Sequence, residues 1–241
     1  MVVIPGRGAD VPEAIDPERL WLPPDRPRLG RRPKYSRERI TAAAVELADE
    51  EGLAAVTMRA VAARLGVAVM SLYSYVPDKD TLLELMVDTV SAGMEFAPPT
   101  DDWRADVRAL AGAQRALMHR HPWLVAALPQ RRTIGPGTLA ALEHALAVLA
   151  PTGLTGGART EVFALISGFV ASHVGHELAQ RRALETATPD FAAAQYRYLT
   201  TMAATGAYPH LAATLTEPPA PGDPDTTFTR LLDRILTGLT P

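Results

Sequence analysis

Cysteine is absent from all 241 residues. Its absence excludes disulfides, thiolate metal centres and cysteine nucleophiles, and it suits a reducing, cytoplasmic setting. Lysine is almost absent, occurring only as Lys34 and Lys79. No apolar run approaches the roughly 20 residues that cross a bilayer. The best candidate, Val162 to Val174, is interrupted by Ser167, Gly168 and His173, so no membrane span is expected. The opening MVVIPGRGAD lacks a basic start followed by an apolar block, and no secretory signal is expected there. Alternation of β-branched residues, the mark of a half-buried strand, is missing throughout, and so is any internal repeat. No GxSxG, GxGxxG or glycine–lysine phosphate loop occurs, so no enzyme and no cofactor is expected. What is present is an apolar content of 47%, ample for an all-α chain with a substantial core.

Net charge is only −3, but it is unevenly spread. Arg26, Arg28, Arg31, Arg32, Lys34, Arg37 and Arg39 are opposed within 26–39 by Glu38 alone. A basic patch on an acidic body is the footprint of local contact with nucleic acid. Arginine is scattered along the chain, whereas both lysines fall within or beside the segment that reads as a DNA binder.

That segment is TMRAVAARLGVAVMSLYSYVPDK, residues 57–79. Thr57 is a good N-cap, its hydroxyl able to accept from a free first-turn amide. Val61, Ala62 and Leu65 share one helical face, and the small Ala62 lets two helices cross closely. Gly66 marks the sharp turn, because glycine tolerates positive φ. A second short helix, within Val67 to Tyr75, turns Leu72 and Tyr75 inward. Small residue, glycine and apolar residue in that order describe a helix-turn-helix, whose second helix reads the major groove.

Organisation follows from the flanks. Residues 1–34 are rich in Pro, Gly and Arg and read as an extended, basic N-terminal arm, with Leu20, Trp21 and Leu22 available to dock on the body. A helix spans Ser36 to Glu51, its inner face Ile40, Ala44, Leu47 and Ala48, stopped by Gly52. Another starts near Asp78 and carries Leu82, Leu83, Met86, Val87 and Val90. Pro98 and Pro99 break the chain, so the DNA-binding domain is placed at 35–97 and a second helical domain at 98–241. There, Trp103, Val107, Leu110, Leu117 and Met118 line a helix ending before Pro122, and Leu139, Leu142, Leu146 and Leu149 form a narrow stripe. Further helices run from Arg159 to Leu184, from Asp190 to about Thr205, and from Phe228 to Leu239.

Two of these helices suggest self-association. VFALISGFVA, residues 162–171, is apolar nearly all round and so is covered on two sides. Leu165 and Phe169 there, with Phe228, Leu231, Leu232, Ile235 and Leu236 on the last helix, are the candidate dimer interface. The alternative is that both are central helices of one bundle. Two readers spaced by about one DNA turn recognise a palindrome, which favours a homodimer.

The run from Tyr35 to Val90 resembles the DNA-binding domain of the tetracycline-repressor (TetR) family. The match is carried by Ile40, Ala44, Leu47, Gly52, Thr57, Val61, Ala62, Leu65, Gly66, Val67, Leu72, Tyr73, Val76, Lys79, Leu82 and Leu83. The endings YPHLAATL, 208–215, and FTRLLDRILTGL, 228–239, resemble the C-terminal domain of the branch that includes the tetracycline repressor itself. The resemblance implies an N-terminal reader of three helices, a C-terminal ligand-binding and dimerisation domain, and repression of transcription until a small-molecule effector binds. A transcriptional activator of the same fold is the alternative. So is a helical binding protein or enzyme whose helix-turn-helix is structural.

Lys79, at a helix start, can pair with a phosphate while the helix amides point the same way; the resemblance implies the same role. Tyr73, Tyr75, Ser71 and Thr57 are candidate backbone contacts, or else core and capping residues. Arg59 matches a family position that reaches a guanine edge, and Val69 and Met70 offer only apolar contact to bases. Arg31, Arg32 and Lys34 either enter the minor groove or add non-specific affinity. A ligand cavity would draw on Trp103, Met118, Trp123, Phe163, Phe169, His173, Tyr196 and Met202, each of which also suits an ordinary core. His173 and His176 lie three apart, but no carboxylate motif completes a metal site, so none is expected and they line a pocket or pair across the dimer. His119 and His121 read as helix C-terminal caps. The expected partners are a palindromic DNA operator, a small-molecule effector and a second copy of the chain.

Overall fold

The computed structural model describes residues 15–22, 36–186, 188–217 and 223–239. Among them every regular element is helical, in the order α1 Pro17–Trp21, α2 Arg37–Glu51, α3 Met58–Leu65, α4 Val69–Tyr73, α5 Lys79–Ala92, α6 Trp103–Arg120, α7 Leu124–Ala127, α8 Pro136–Val148, α9 Gly156–Thr186, α10 Pro189–Ala204, α11 Pro209–Thr216 and α12 Pro224–Thr237. The chain packs as two units, Met1–Pro99 with Ala116–Ala147 and Thr100–Arg115 with Val148–Pro241. Residues 116–147 therefore pack with the helices that precede Pro98 and Pro99, although they lie beyond those prolines.

In the first unit, local chemistry sets the helix ends. The Ser36 hydroxyl accepts from the Arg39 amide at 3.3 Å, and Gly52 ends α2 with φ 84°. The expected inner face, Ile40, Ala44, Leu47 and Ala48, is buried, as are Leu82, Leu83, Met86, Val87 and Val90 of α5. Each large side chain so buried contributes about 1.5–3 kcal/mol.

The same helix α5 buries two carboxylates that its apolar period does not announce. Glu84, 2% exposed, accepts from the amides of Arg132 (2.6 Å) and Thr133 (3.3 Å) and from the Thr133 hydroxyl (2.9 Å). One turn on, Asp88 accepts from the amides of Gly137 and Thr138, both at 3.0 Å, and so caps α8 from outside. Glycine is required at position 137: a Cβ on Gly137 would meet the Asp88 carbonyl oxygen and lie 2.7 Å from the Ala92 nitrogen, and one on Gly135 would lie 2.8 Å from Asp88 Oδ2. A second anchor is Asp49 on α2, whose Oδ1 lies 2.8 Å from His121 Nδ1 and accepts from Trp123 Nε1 at 2.7 Å.

Three expectations change in this unit. Residues 15–22 are not extended: Asp16 caps α1, accepting from Glu18 and Arg19, and Leu20 is buried. His121 follows the last residue of α6 and its amide donates to the Leu117 carbonyl at 2.9 Å, but its ring turns to Asp49 and not to the helix carbonyls. The leucine stripe of α8 is not its inner face. Ala141 and Ala145 are buried, Leu142 and Leu146 are half-buried and Leu139 is 50% exposed, because small residues allow the closer approach; of the stripe only Leu149, just past α8, is buried.

The second unit is organised by α9 and α12. Val162, Ile166, Val170 and Val174 form the buried face of α9, and Phe228, Leu232 and Leu236 that of α12. Phe169 and Phe228 stack with centroids 5.6 Å apart, with His173 5.3 Å from Phe228. From α6, Arg115 bonds Glu177 (2.7 Å) and Asp225 (2.6 Å), and Arg108 bonds Asp233 (2.6 Å). The Glu177 hydrogen bond, ahead of that from Asp225, drives the Arg115 guanidinium further into its charged form. Helix α9 also has the length and apolar content to cross a membrane, with a mean hydropathy of 1.3 over its best window. That average is reached although Ser167, Gly168 and His173 interrupt the apolar run.

Candidate nucleic-acid interface

The reader is built as the spacing requires. Thr57 Oγ1 accepts from the Ala60 amide at 3.1 Å and starts α3. Gly66 adopts the left-handed conformation (φ 67°, ψ 38°), and its amide and that of Val67 bond back to Ala63 and Ala62. Two short helices are thereby set across each other with Val61, Ala62 and Leu72 buried between them and their neighbours.

Burying Leu72 orients the rest of α4 outward. Met70 is 75% exposed and Tyr73 43%, with Ser71 and Ser74 beside them. Val69 and Tyr75 are half-buried, so Tyr75 offers less surface than Tyr73. Thr57, Arg59 and Lys79 are exposed. Asp78 caps α5, accepting from the Thr81 amide at 2.6 Å, and Asp80 pairs with Arg132 at 3.2 Å. Among the described residues no acid pairs with Lys79, which leaves its ammonium for a phosphate. Arg64, also on α3, is occupied: it bonds Glu50 at 2.5 Å and Glu46 at 3.4 Å. The Glu50 bond raises the Arg64 pKa further and holds the Glu50 carboxyl below its ordinary range. Arg31, Arg32 and Lys34 lie outside the described residues.

The ligand-pocket candidates fall in both units. Met118 and Trp123 are buried in the first unit, with Trp123 held by Asp49. Trp103, Phe163, Phe169, His173 and Met202 are half-buried in the second unit, and Tyr196 is 62% exposed. Sequence reasoning missed Gln114, a buried amide on α6 whose Nε2 donates to Ser167 at 3.0 Å while Oε1 has no hydrogen-bond partner among the described residues. A polar residue between Leu110 and Leu117 on an otherwise apolar face was the signal. Of the interface residues, Phe228, Leu232 and Leu236 are buried in their own chain, because that i, i+4, i+8 row of α12 faces inward. Leu231, Ile235 and Phe169 are half-buried, and Leu165 is 51% exposed. Among the described residues no cluster of three histidines or acids is arranged to hold a metal ion.

Comparison with known proteins agrees with this geometry. Residues 40–86 match the model for bacterial regulatory proteins of the tetR family, and 96–241 match the tetracyclin repressor-like C-terminal domain. The chain is 39% identical over 227 residues to the HTH-type transcriptional repressor DrrR1 of Streptomyces coeruleorubidus, covering 92% of this chain and 83% of that one. It is 31% identical over 173 residues to an HTH-type transcriptional regulator of Saccharopolyspora erythraea, covering 71% and 73%. Among solved structures, the Streptomyces coelicolor TetR family protein ActR, in complex with actinorhodin, superposes with a TM-score of 0.74 at 29% identity, covering 86% of this chain and 97% of that one. With the reader formed by α3, α4 and the start of α5, the chain is a DNA-binding transcription regulator of the tetracycline-repressor (TetR) family.

Proposed function

We propose that the chain is a cytoplasmic, homodimeric, ligand-responsive repressor that binds a palindromic operator and leaves it when a small molecule binds. The observation that carries the DNA reading is the exposed face of α4, backed by buried Leu72 and followed by Lys79, with which no acid among the described residues pairs. Tyr73, Ser71 and Thr57 hold phosphates with Lys79, Tyr75 buttresses them, and Arg59 and Met70 meet base edges. Arg31, Arg32 and Lys34 add contact from the basic run. In this reading 1–34 is the arm, 35–97 the DNA-binding domain and 98–241 the ligand and dimerisation domain.

Dimerisation is favoured by what α9 leaves bare. Only 22% of its most apolar stretch is buried by its own chain, and Ala164, Leu165, Gly168 and Ser172 share its exposed surface. Small residues there let a second α9 approach closely, and Leu231 and Ile235 of α12 extend the patch. Repression is favoured by the name of DrrR1, and an effector by the complex of ActR with actinorhodin. Buried Gln114 Oε1, near α9, is an acceptor such an effector can satisfy. The reading assigns no catalytic chemistry.

The test is the double variant Lys79→Ala, Tyr73→Phe against a duplex enriched from a random pool by the wild-type protein. It is expected to keep its helicity and dimeric state while losing affinity, with a shallower dependence on salt as phosphate contacts disappear. Wild-type affinity in the variant would overturn the assignment.

A further inference from the structure

Helix α1 lies upstream of the residues matched by the N-terminal family model, which begins at residue 40. We propose that α1 is a latch that positions the reading face without touching DNA, with Trp21 and Arg37 as its positioning residues.

The latch engages both supports of that face. On one side, Arg37 of α2 donates from Nη1 to the Leu20 carbonyl at 3.0 Å and from Nε to the Tyr75 carbonyl at 3.3 Å. Carbonyls at a helix C-terminus have no intrahelical donor. One guanidinium therefore ties the end of α1 to the chain just beyond α4. On the other side, Trp21 Nε1 donates to Thr133 Oγ1 at 3.1 Å, and that hydroxyl donates to Glu84 Oε2 at 2.9 Å. Glu84 sits on α5, the helix that Lys79 begins. Ile15, just ahead of α1, lines a pocket of about 220 Å³ with Asp80, Leu83, Glu84, Gln130 and Arg132. Both ends of the segment Tyr75–Lys79 are thus referred to one docked helix. A five-residue helix has no stability of its own in water, so α1 exists through these contacts and Leu20's burial.

Charge separates a latch from a DNA contact. Residues 1–22 carry Arg7 and Arg19 against Asp10, Glu13, Asp16 and Glu18. Deleting a net acidic segment strengthens binding to a polyanion if charge alone acts. Deleting a latch weakens specific binding, because the apparent affinity falls with the fraction of molecules whose reader is correctly set. The two effects have opposite signs.

The inference rests on α4 and Lys79 facing DNA. Full-length protein, a truncation lacking 1–22 and Trp21→Phe are titrated with a duplex enriched by the wild type and with a random duplex of equal length, across a salt series. If one reader in ten stays correctly set, the truncation binds the enriched duplex about tenfold more weakly per reader, up to about a hundredfold for a dimer. Its affinity for the random duplex stays equal or rises, and its salt slope is unchanged. Trp21→Phe, which keeps the ring and removes the donor, shows the same pattern at smaller size. A truncation that binds the enriched duplex like wild type, or loses equally on both duplexes, overturns the latch. If the truncation melts below the assay temperature, Trp21→Phe decides by the same comparison. A wild type that enriches no duplex overturns the DNA-facing reading instead.

Discussion

Gly137→Ala tests the closest contact in the first unit. The added methyl would overlap the Asp88 carbonyl oxygen and sit 2.7 Å from the Ala92 nitrogen and 2.9 Å from its Cβ. Two of these three obstacles are helix backbone, which cannot swing aside as a side chain does. The start of α8 must retreat from α5, by about 1 Å to reach ordinary van der Waals separation. That retreat stretches the two 3.0 Å bonds from the Gly137 and Thr138 amides to Asp88. Hydrogen bonds to a charged group contribute about 1.5–3 kcal/mol each. Residual overpacking costs about 1–3 kcal/mol. With partial relaxation the net loss is about 2–5 kcal/mol, or a fall of roughly 5–15 °C in Tm for a chain of this size. Gly112→Ala is the control. It lies inside α6 with nothing within 4 Å of the new Cβ, so helix propensity alone predicts a gain of about 0.5–1 kcal/mol. Circular dichroism melts of both variants give the answer. A Gly137→Ala protein as stable as wild type would refute the close-approach argument and Asp88's role as an external cap.

Arg59→Ala is expected to relax preference at one G·C pair by about 1–3 kcal/mol, read by competition among single-base variants of the enriched duplex. Leu165→Arg changes a side chain already 51% exposed, so helicity should persist while dimerisation weakens roughly a hundredfold through burial of an unpaired charge; sedimentation at graded concentration measures this, and an unchanged dimer would exclude that face. Asp223 caps α12, and the Thr226 amide at 2.9 Å, with the Thr226 hydroxyl, holds its carboxyl below the ordinary range. A lowered folded pKa stabilises above the unfolded value and is lost as pH falls through the folded one. The Tm gap between wild type and Asp223→Asn should therefore be full near neutrality and close below about pH 4.

Much of the reader is legible in the sequence because its determinants are local. Ser36, Thr57 and Asp78 cap helices with their own hydroxyls or carboxylate, and Gly66 takes the one conformation that side-chain-bearing residues avoid. The surroundings of the ligand-pocket candidates are not legible in the same way. Trp123 has the size of a pocket residue, yet it donates to Asp49, 74 residues away in the chain, and no periodicity encodes that partner. The apolar stripe of α12 announces a buried helix but not which row is buried in its own chain. Phe228, Leu232 and Leu236 take that place because α9 lies against them, while Leu231 and Ile235 stay at the margin.

The sequence by itself determines an all-helical chain, the position of the helix-turn-helix, and the side chains α4 presents, since burying Leu72 settles the direction of its neighbours. Tertiary structure alone decides that Glu84 and Asp88 are clamps, that Gly137 must lack a side chain, and that Trp21 fastens the N-terminal segment to Thr133. Caps and periods are properties of neighbouring residues. A buried carboxylate finds its donors only when segments distant in the chain are packed together.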